Sequence, residues 1–233
     1  MILLFILLFF FQTNTNTIYS EWDSVLQEYV KDGFVDYKTL QYHPENLNLF
    51  LDKAEKVQKK NFQKWDKKEK LAFYINLYNA LTIKLILSEY PVESIKDIGN
   101  FFRSPWSKDV FFLFGKPITL NNLEHDIIRK QFNEPRIHLA LVCAAKGCPP
   151  LRSESYTAEK LNEQLDNQAK IYLSSSKGLV IDEQRETIFI SSIFKWYKED
   201  FESVPDFIQE YIQTSIKSYS IRYLDYDWNL NEK

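Results

Sequence analysis

Chemistry in this chain is concentrated in residues 135–152, PRIHLALVCAAKGCPPLR, which contain both cysteines of the protein and one of its three histidines. An apolar run over residues 137–142 predicts a short buried strand that ends at Cys143. Gly147, Pro149 and Pro150 then interrupt regular structure. A thiol at the end of a rigid element is both held in place and reachable, as a nucleophile must be. Cys143 is therefore the candidate nucleophile. A bond between Cys143 and Cys148 is feasible if the loop folds back, and it would silence that thiol.

A cysteine nucleophile needs a base, and two histidines compete for the role. His125 sits in a helix predicted from Asn121 to Phe132, with Arg129 one turn on. His138 is the rival, but alternation along a strand sends it to the side opposite Cys143 unless the strand bends. Glu124 neighbours His125, yet adjacent helical side chains diverge, so Asp227 is the freer choice to orient the imidazole. Glu124 also lies three residues after Asn121, the spacing of a capping box. Asn79, or the backbone N–H groups of Ala144 and Ala145, could stabilise an oxyanion. A four-ligand zinc site is the weaker reading, since the usual Cys-x-x-Cys spacing is absent. No cofactor motif is read.

The elements that must position these groups follow from periodicity. Trp22, Val25, Leu26, Tyr29 and Val30 mark one amphipathic helix, and Leu47, Phe50, Leu51, Ala54 and Val57 a second. Asp66 with Glu69 caps a long helix that carries only Lys84 as a charge between Leu71 and Leu87. Asn76 and Asn79 share one face of that helix and, if buried, must brace backbone or serve a site. Hairpins are predicted around Gly115 and between residues 178–182 and 187–190. Residues 101–106 read as an aromatic loop, and residues 221–230 as a closing strand with docked aromatics. Without a clean strand–helix alternation the class is α+β: one domain over residues 20–230, a buried central helix on a small, mostly antiparallel sheet.

Composition narrows the function. Aromatics make up 16% of the 233 residues, which supports a substantial core and excludes disorder. The net charge of −3 and the lack of a Lys/Arg run argue against a nucleic-acid partner. Residues 1–11 are apolar and uncharged, too short for an ordinary membrane span, and residues 1–18 read as a secretory signal. No Lys or Arg precedes the run and no Ala-x-Ala follows it. The expectation is an extracytoplasmic protein, periplasmic or secreted, with no integral span in the mature chain.

Several motifs together resemble the DUF547 domain: FYINLYNALT at 73–82, YPVESIKDI at 90–98, TLNNLEH at 119–125, RIHLALVC at 136–143, GCPPL at 147–151, SIFKWYKEDF at 192–201 and YDWNL at 226–230. The resemblance covers roughly residues 22–230. It implies that Cys143, Glu124, His125, Asn76, Asn79 and Arg136 stand on characteristic family positions, and that Cys143 rather than Cys148 is the reactive one. It also implies a distant similarity to papain-like or transglutaminase-like enzymes. Those enzymes start a long buried helix with the nucleophile, where this chain has Asn and Tyr instead. Two readings stay open: a thiol hydrolase or acyltransferase acting on a peptide or amide bond, and a non-catalytic envelope or extracytoplasmic binding domain.

Overall fold

Asp66 opens the element on which the others are assembled. Its side chain accepts from the Glu69 N–H while the Glu69 carboxylate accepts from the Asp66 N–H, and this reciprocal cap starts the helix Lys67–Leu87. The computed structural model describes residues 18–99 and 104–233. The signal-like segment lies outside the described residues except for Ile18, and the aromatic loop is described only from Ser104 onward. Every residue from Leu71 to Ile83 is buried, as a helix without a polar face must be inside a core.

Helices surround this one. Ser20–Tyr29 and Glu45–Glu55 pack together through Trp22 stacked on Phe50, with ring centroids 5.7 Å apart. The main neighbours of Lys67–Leu87 are the helix Glu45–Glu55, the short helix Tyr37–Leu40 and a π-helical segment, Asn122–Ile128. The α+β class holds, although the central helix rests on helices where a sheet was expected. Its apolar surface goes all round, so neighbours that wrap it on several sides bury more of it than a two-sided sheet could.

The strands form three small sheets. Val30–Lys31 pairs with Phe34–Val35, and Phe111–Leu113 with Lys116–Ile118, both antiparallel. In the third sheet Leu179–Asp182 runs antiparallel to Thr187–Ile190, and Ser220–Tyr223 adds in parallel. A second apolar cluster under this sheet joins Tyr172, Ile188, Ile190, Phe194 and Ile208.

The expected strand at residues 137–142 is a correction. Pro135–Leu139 is a 3-10 helix, with Pro135 in its first turn and the Glu134 carboxylate accepting from the Arg136 N–H. The fixed proline φ and this cap start a helical turn before any neighbouring strand is available to pair. The capping box expected at Asn121 also fails. Asn122 instead exchanges bonds with Thr119, and Glu124 turns inward.

The buried amides of the central helix act as braces. Asn76 accepts from the Tyr156 N–H at 3.0 Å and from Trp22 Nε1, and donates to the Tyr156 carbonyl at 2.8 Å. Asn79 donates to the Ala140 carbonyl at 3.0 Å and accepts from the Val142 N–H at 2.9 Å. Both amides therefore belong to the fold, and Asn79 is not free to hold an oxyanion. Replacing Asn76 with Ala strands a backbone N–H and C=O inside the core. Urea denaturation should show a loss of about 3 kcal/mol; a loss below about 1 kcal/mol would mean those groups find other partners.

Candidate active-site cleft

A cleft of about 230 Å³ opens where the cysteine loop, the π-helical segment and the C-terminal tail meet. Cys143, Glu124, His125 and His138 line it together with Tyr78, Tyr197, Tyr226, Trp106, Trp196 and Trp228. Folding thus gathers four of the side chains whose type and spacing suggested chemistry.

The cysteine loop is pinned from both sides. Asn79 fixes its entry at Ala140 and Val142. The tail covers its far side: Lys146 and Gly147 donate to the carbonyls of Asn229 and Asp227, and Asn231 donates to that of Ala144. A Cβ at Gly147 would lie 3.0 Å from the Asp227 backbone, so glycine permits this approach. Ala144, immediately after the cysteine, takes φ 60°, a left-handed conformation uncommon for alanine.

Cys143 and Cys148 are joined by a disulfide, with Cα atoms 6.2 Å apart. Both sulfurs are thus committed in this state. Their surroundings differ: Cys143 is half-buried and faces the cleft, with the Tyr226 hydroxyl 3.2 Å from Sγ. Cys148 is buried, and its Sγ accepts from the N–H groups of Cys143 at 3.0 Å and Ala145 at 3.4 Å. The Ala145 N–H expected to serve an oxyanion is directed at that sulfur.

The imidazoles have distinct partners. His138 stacks on Tyr197 with centroids 3.9 Å apart, and its Nε2 lies 2.6 Å from Asp200 Oδ2. Its Nδ1 is buried without a hydrogen-bond partner. Burial pushes the His138 pKa down, outweighing the upward pull of Asp200, so the ring is kept neutral. Neutral His138 donates from Nε2 to the carboxylate, which leaves the Nδ1 lone pair available. Asp200 itself is raised by burial but held below the usual carboxylate range on balance by Arg129 and His138. Arg129 holds Asp200 through two bonds, at 2.6 and 2.8 Å.

His125 is differently placed. Its Nδ1 faces Arg129 at 3.1 Å, and because a guanidinium can only donate, that nitrogen is the acceptor. The nitrogen a base would use is occupied. His138 with Asp200 is thus the better-formed pair, a correction to the preference for His125. The alternation that argued against His138 disappears once residues 135–139 are helical. Asp200 escaped notice because it lies in a different sequence segment from both histidines; its acidic type next to the aromatic run at residues 192–201 was the available signal.

Asp227 is exposed and outside the cleft. Its carboxylate accepts from Asn229 N and Nδ2, a local turn, and only its backbone supports the site. It does not orient an imidazole. Arg136 also lies apart, held by Glu134 and Asp166. Glu124 and His125 both line the cleft because their segment is π-helical, turning less per residue than an α-helix. Glu124 is 6% exposed and accepts from the Tyr78 hydroxyl at 2.9 Å. Burial, reinforced by Glu124, raises the phenols of Tyr78 and Tyr197, so they remain donors. Among the described residues no group of His, Cys, Asp or Glu is arranged to hold a metal ion, and no helix is long and apolar enough to cross a membrane.

The fold and cleft define a single-domain α+β protein with a cysteine and two imidazoles in an aromatic pocket. A family model described as "Protein of unknown function, DUF547" matches residues 62–173 and supports the family resemblance that the motifs carry. The match takes in the central helix, Glu124, both histidines of the cleft and both cysteines, and is shorter than the span carried by the motifs. No curated protein and no solved structure matches the chain.

A pH dependence follows from His138. Its folded pKa is below the ordinary value of 6.5, so the unfolded chain binds the extra proton first. Stability is fully present above pH 6.5 and is lost as pH falls through the folded pKa. Urea midpoints should decline over this range, before Asp200 begins to protonate. His138→Gln should flatten that part of the profile; an unchanged slope would mean that His138 is not the group responsible.

Proposed function

We propose that the cleft performs thiol-dependent hydrolysis or acyl transfer at a peptide or amide carbonyl after the Cys143–Cys148 bond has been reduced. The observation that carries this reading is the convergence of Cys143 with a neutral imidazole whose Nε2 is tied to Asp200 and whose Nδ1 has no partner. A dithiol reductant would convert the bridge to two thiols and itself become a disulfide. Cys143 Sγ then attacks the carbonyl carbon as its proton passes to His138 Nδ1. Collapse of the tetrahedral adduct breaks the C–N bond, and the amine departs with that proton. Water, or an acceptor amine or alcohol, takes the acyl group from sulfur and restores the thiol. Asp200 serves as a positioning residue that fixes the tautomer and stabilises the imidazolium.

One observation favours a second reading. The disulfide leaves no thiol in the structure described, which suits a non-catalytic binding domain stapled beside its pocket. A secretory leader at residues 1–18 would deliver the chain to an extracytoplasmic compartment, where oxidation keeps such a bond intact. In that reading His138 and Asp200 stabilise the pocket wall.

Thiol chemistry separates the two. After mild reduction, Cys143 should alkylate near neutral pH, at a site identified by peptide mapping. His138→Ala should slow labelling at that pH by about tenfold or more and return the profile to an ordinary thiol pKa of about 8.5. His125→Ala should leave most of the reactivity. Slow labelling with the same ordinary profile in wild type and His138→Ala would overturn the enzyme reading.

A further inference from the structure

Among the described residues Glu124 is the one buried carboxylate of the cleft wall, and no described cation lines the cleft to neutralise it. Among the described residues no Lys or Arg lines the cleft, and Arg129, one turn beyond, is engaged by Glu199 and Asp200. The Tyr78 phenol donates to Glu124, but a hydroxyl dipole does not cancel the charge of a carboxylate held away from water. The neutral His138 adds no positive charge to balance it.

The rest of the wall suits the same ligand. Trp196 and Trp228 stack with centroids 5.6 Å apart, Tyr226 lies 4.8 Å from each, and Trp106 meets Trp228 edge-on at 6.0 Å. Indole and phenol faces attract organic cations through their quadrupoles, most strongly where water is excluded. One such face is already used: the ammonium of exposed Lys96 lies 3.6 Å from the Trp228 centroid, although Lys96 does not line the cleft. A volume of about 230 Å³ accommodates an alkylammonium head with a short chain.

We infer that the cleft recognises an organic cation of the alkylammonium type, with Glu124 supplying the countercharge and the Trp196–Tyr226–Trp228 cluster the walls. This deepens the proposed function and rests on the same cleft: the substrate would present an ammonium-bearing group beside the carbonyl that faces Cys143. Recognition itself requires no free thiol. The disulfide form therefore tests it independently of catalysis.

Calorimetric titration of the full oxidised chain with choline, and with its neutral isostere 3,3-dimethyl-1-butanol, measures the charge preference at fixed ionic strength. Choline should bind about tenfold more tightly or better. Glu124→Gln should abolish that preference. Trp196→Ala, at a position 45% exposed and thus tolerant of truncation, should weaken choline several-fold without unfolding the protein. Equal affinity for the two probes, tighter binding of the anionic isostere 3,3-dimethylbutanoate, or no saturable binding of choline would each overturn the inference. If choline binds as stated but the reduced thiol proves inert, the cation site stands and the hydrolase reading falls. Reactive thiol without charge preference gives the reverse result.

Discussion

The two hydrogen bonds from Asn79 to Ala140 and Val142 set the geometry on which the cleft depends. They join the central helix to the backbone just ahead of Cys143, in a core where unpaired amide and peptide groups would each cost about 1–3 kcal/mol. The position of the sulfur is thereby referred to the long buried helix at the centre of the core. From the opposite side, Ala144, Lys146 and Gly147 bond to the C-terminal tail. Tyr172 donates to the Gly147 carbonyl and accepts from the Ser191 hydroxyl, tying the loop to the second core cluster as well. A loop held by three separate parts of the chain can sustain the left-handed φ of Ala144 and the close pairing of two sulfurs.

Electrostatics divides the cleft into two parts. On one side Asp200 collects Arg129 and His138, so the imidazole is oriented and its surroundings are balanced. On the other, the Glu124 carboxylate accepts from Tyr78 and faces an aromatic cavity. The first arrangement suits proton transfer and the second suits binding of positive charge. Both draw on Tyr197, which stacks on His138 and whose phenol is raised by burial and by the charge of Glu124. A ligand that displaced this ring would be felt at the base and at the carboxylate together.

Much of the scaffold was legible because short-range rules governed it. The Asp66–Glu69 cap, the two amphipathic helices and the hairpins around Gly115 and before Thr187 all formed where spacing and turn residues placed them. Local rules misled where distant partners competed. Glu124 has capping-box spacing but bonds Tyr78, 46 residues away in sequence. Residues 137–142 have the composition of a strand, yet Pro135 and Glu134 start a helical turn, and no strand among the described residues pairs with it. Asp227 is well placed in sequence to suggest an orienting acid, but Asn229 captures its side chain locally.

Short-range patterns in the residues were enough for the α+β class, the buried central helix with its obligatory amide partners, and the concentration of reactive side chains near Cys143. Composition, period and punctuation act over a few residues, and those features require nothing more. Tertiary structure alone decided which imidazole is held by a carboxylate, that the two sulfurs meet, and that tryptophans from three separate segments wall one cavity. Each of these is a distance between groups far apart along the chain, set by how the core packs.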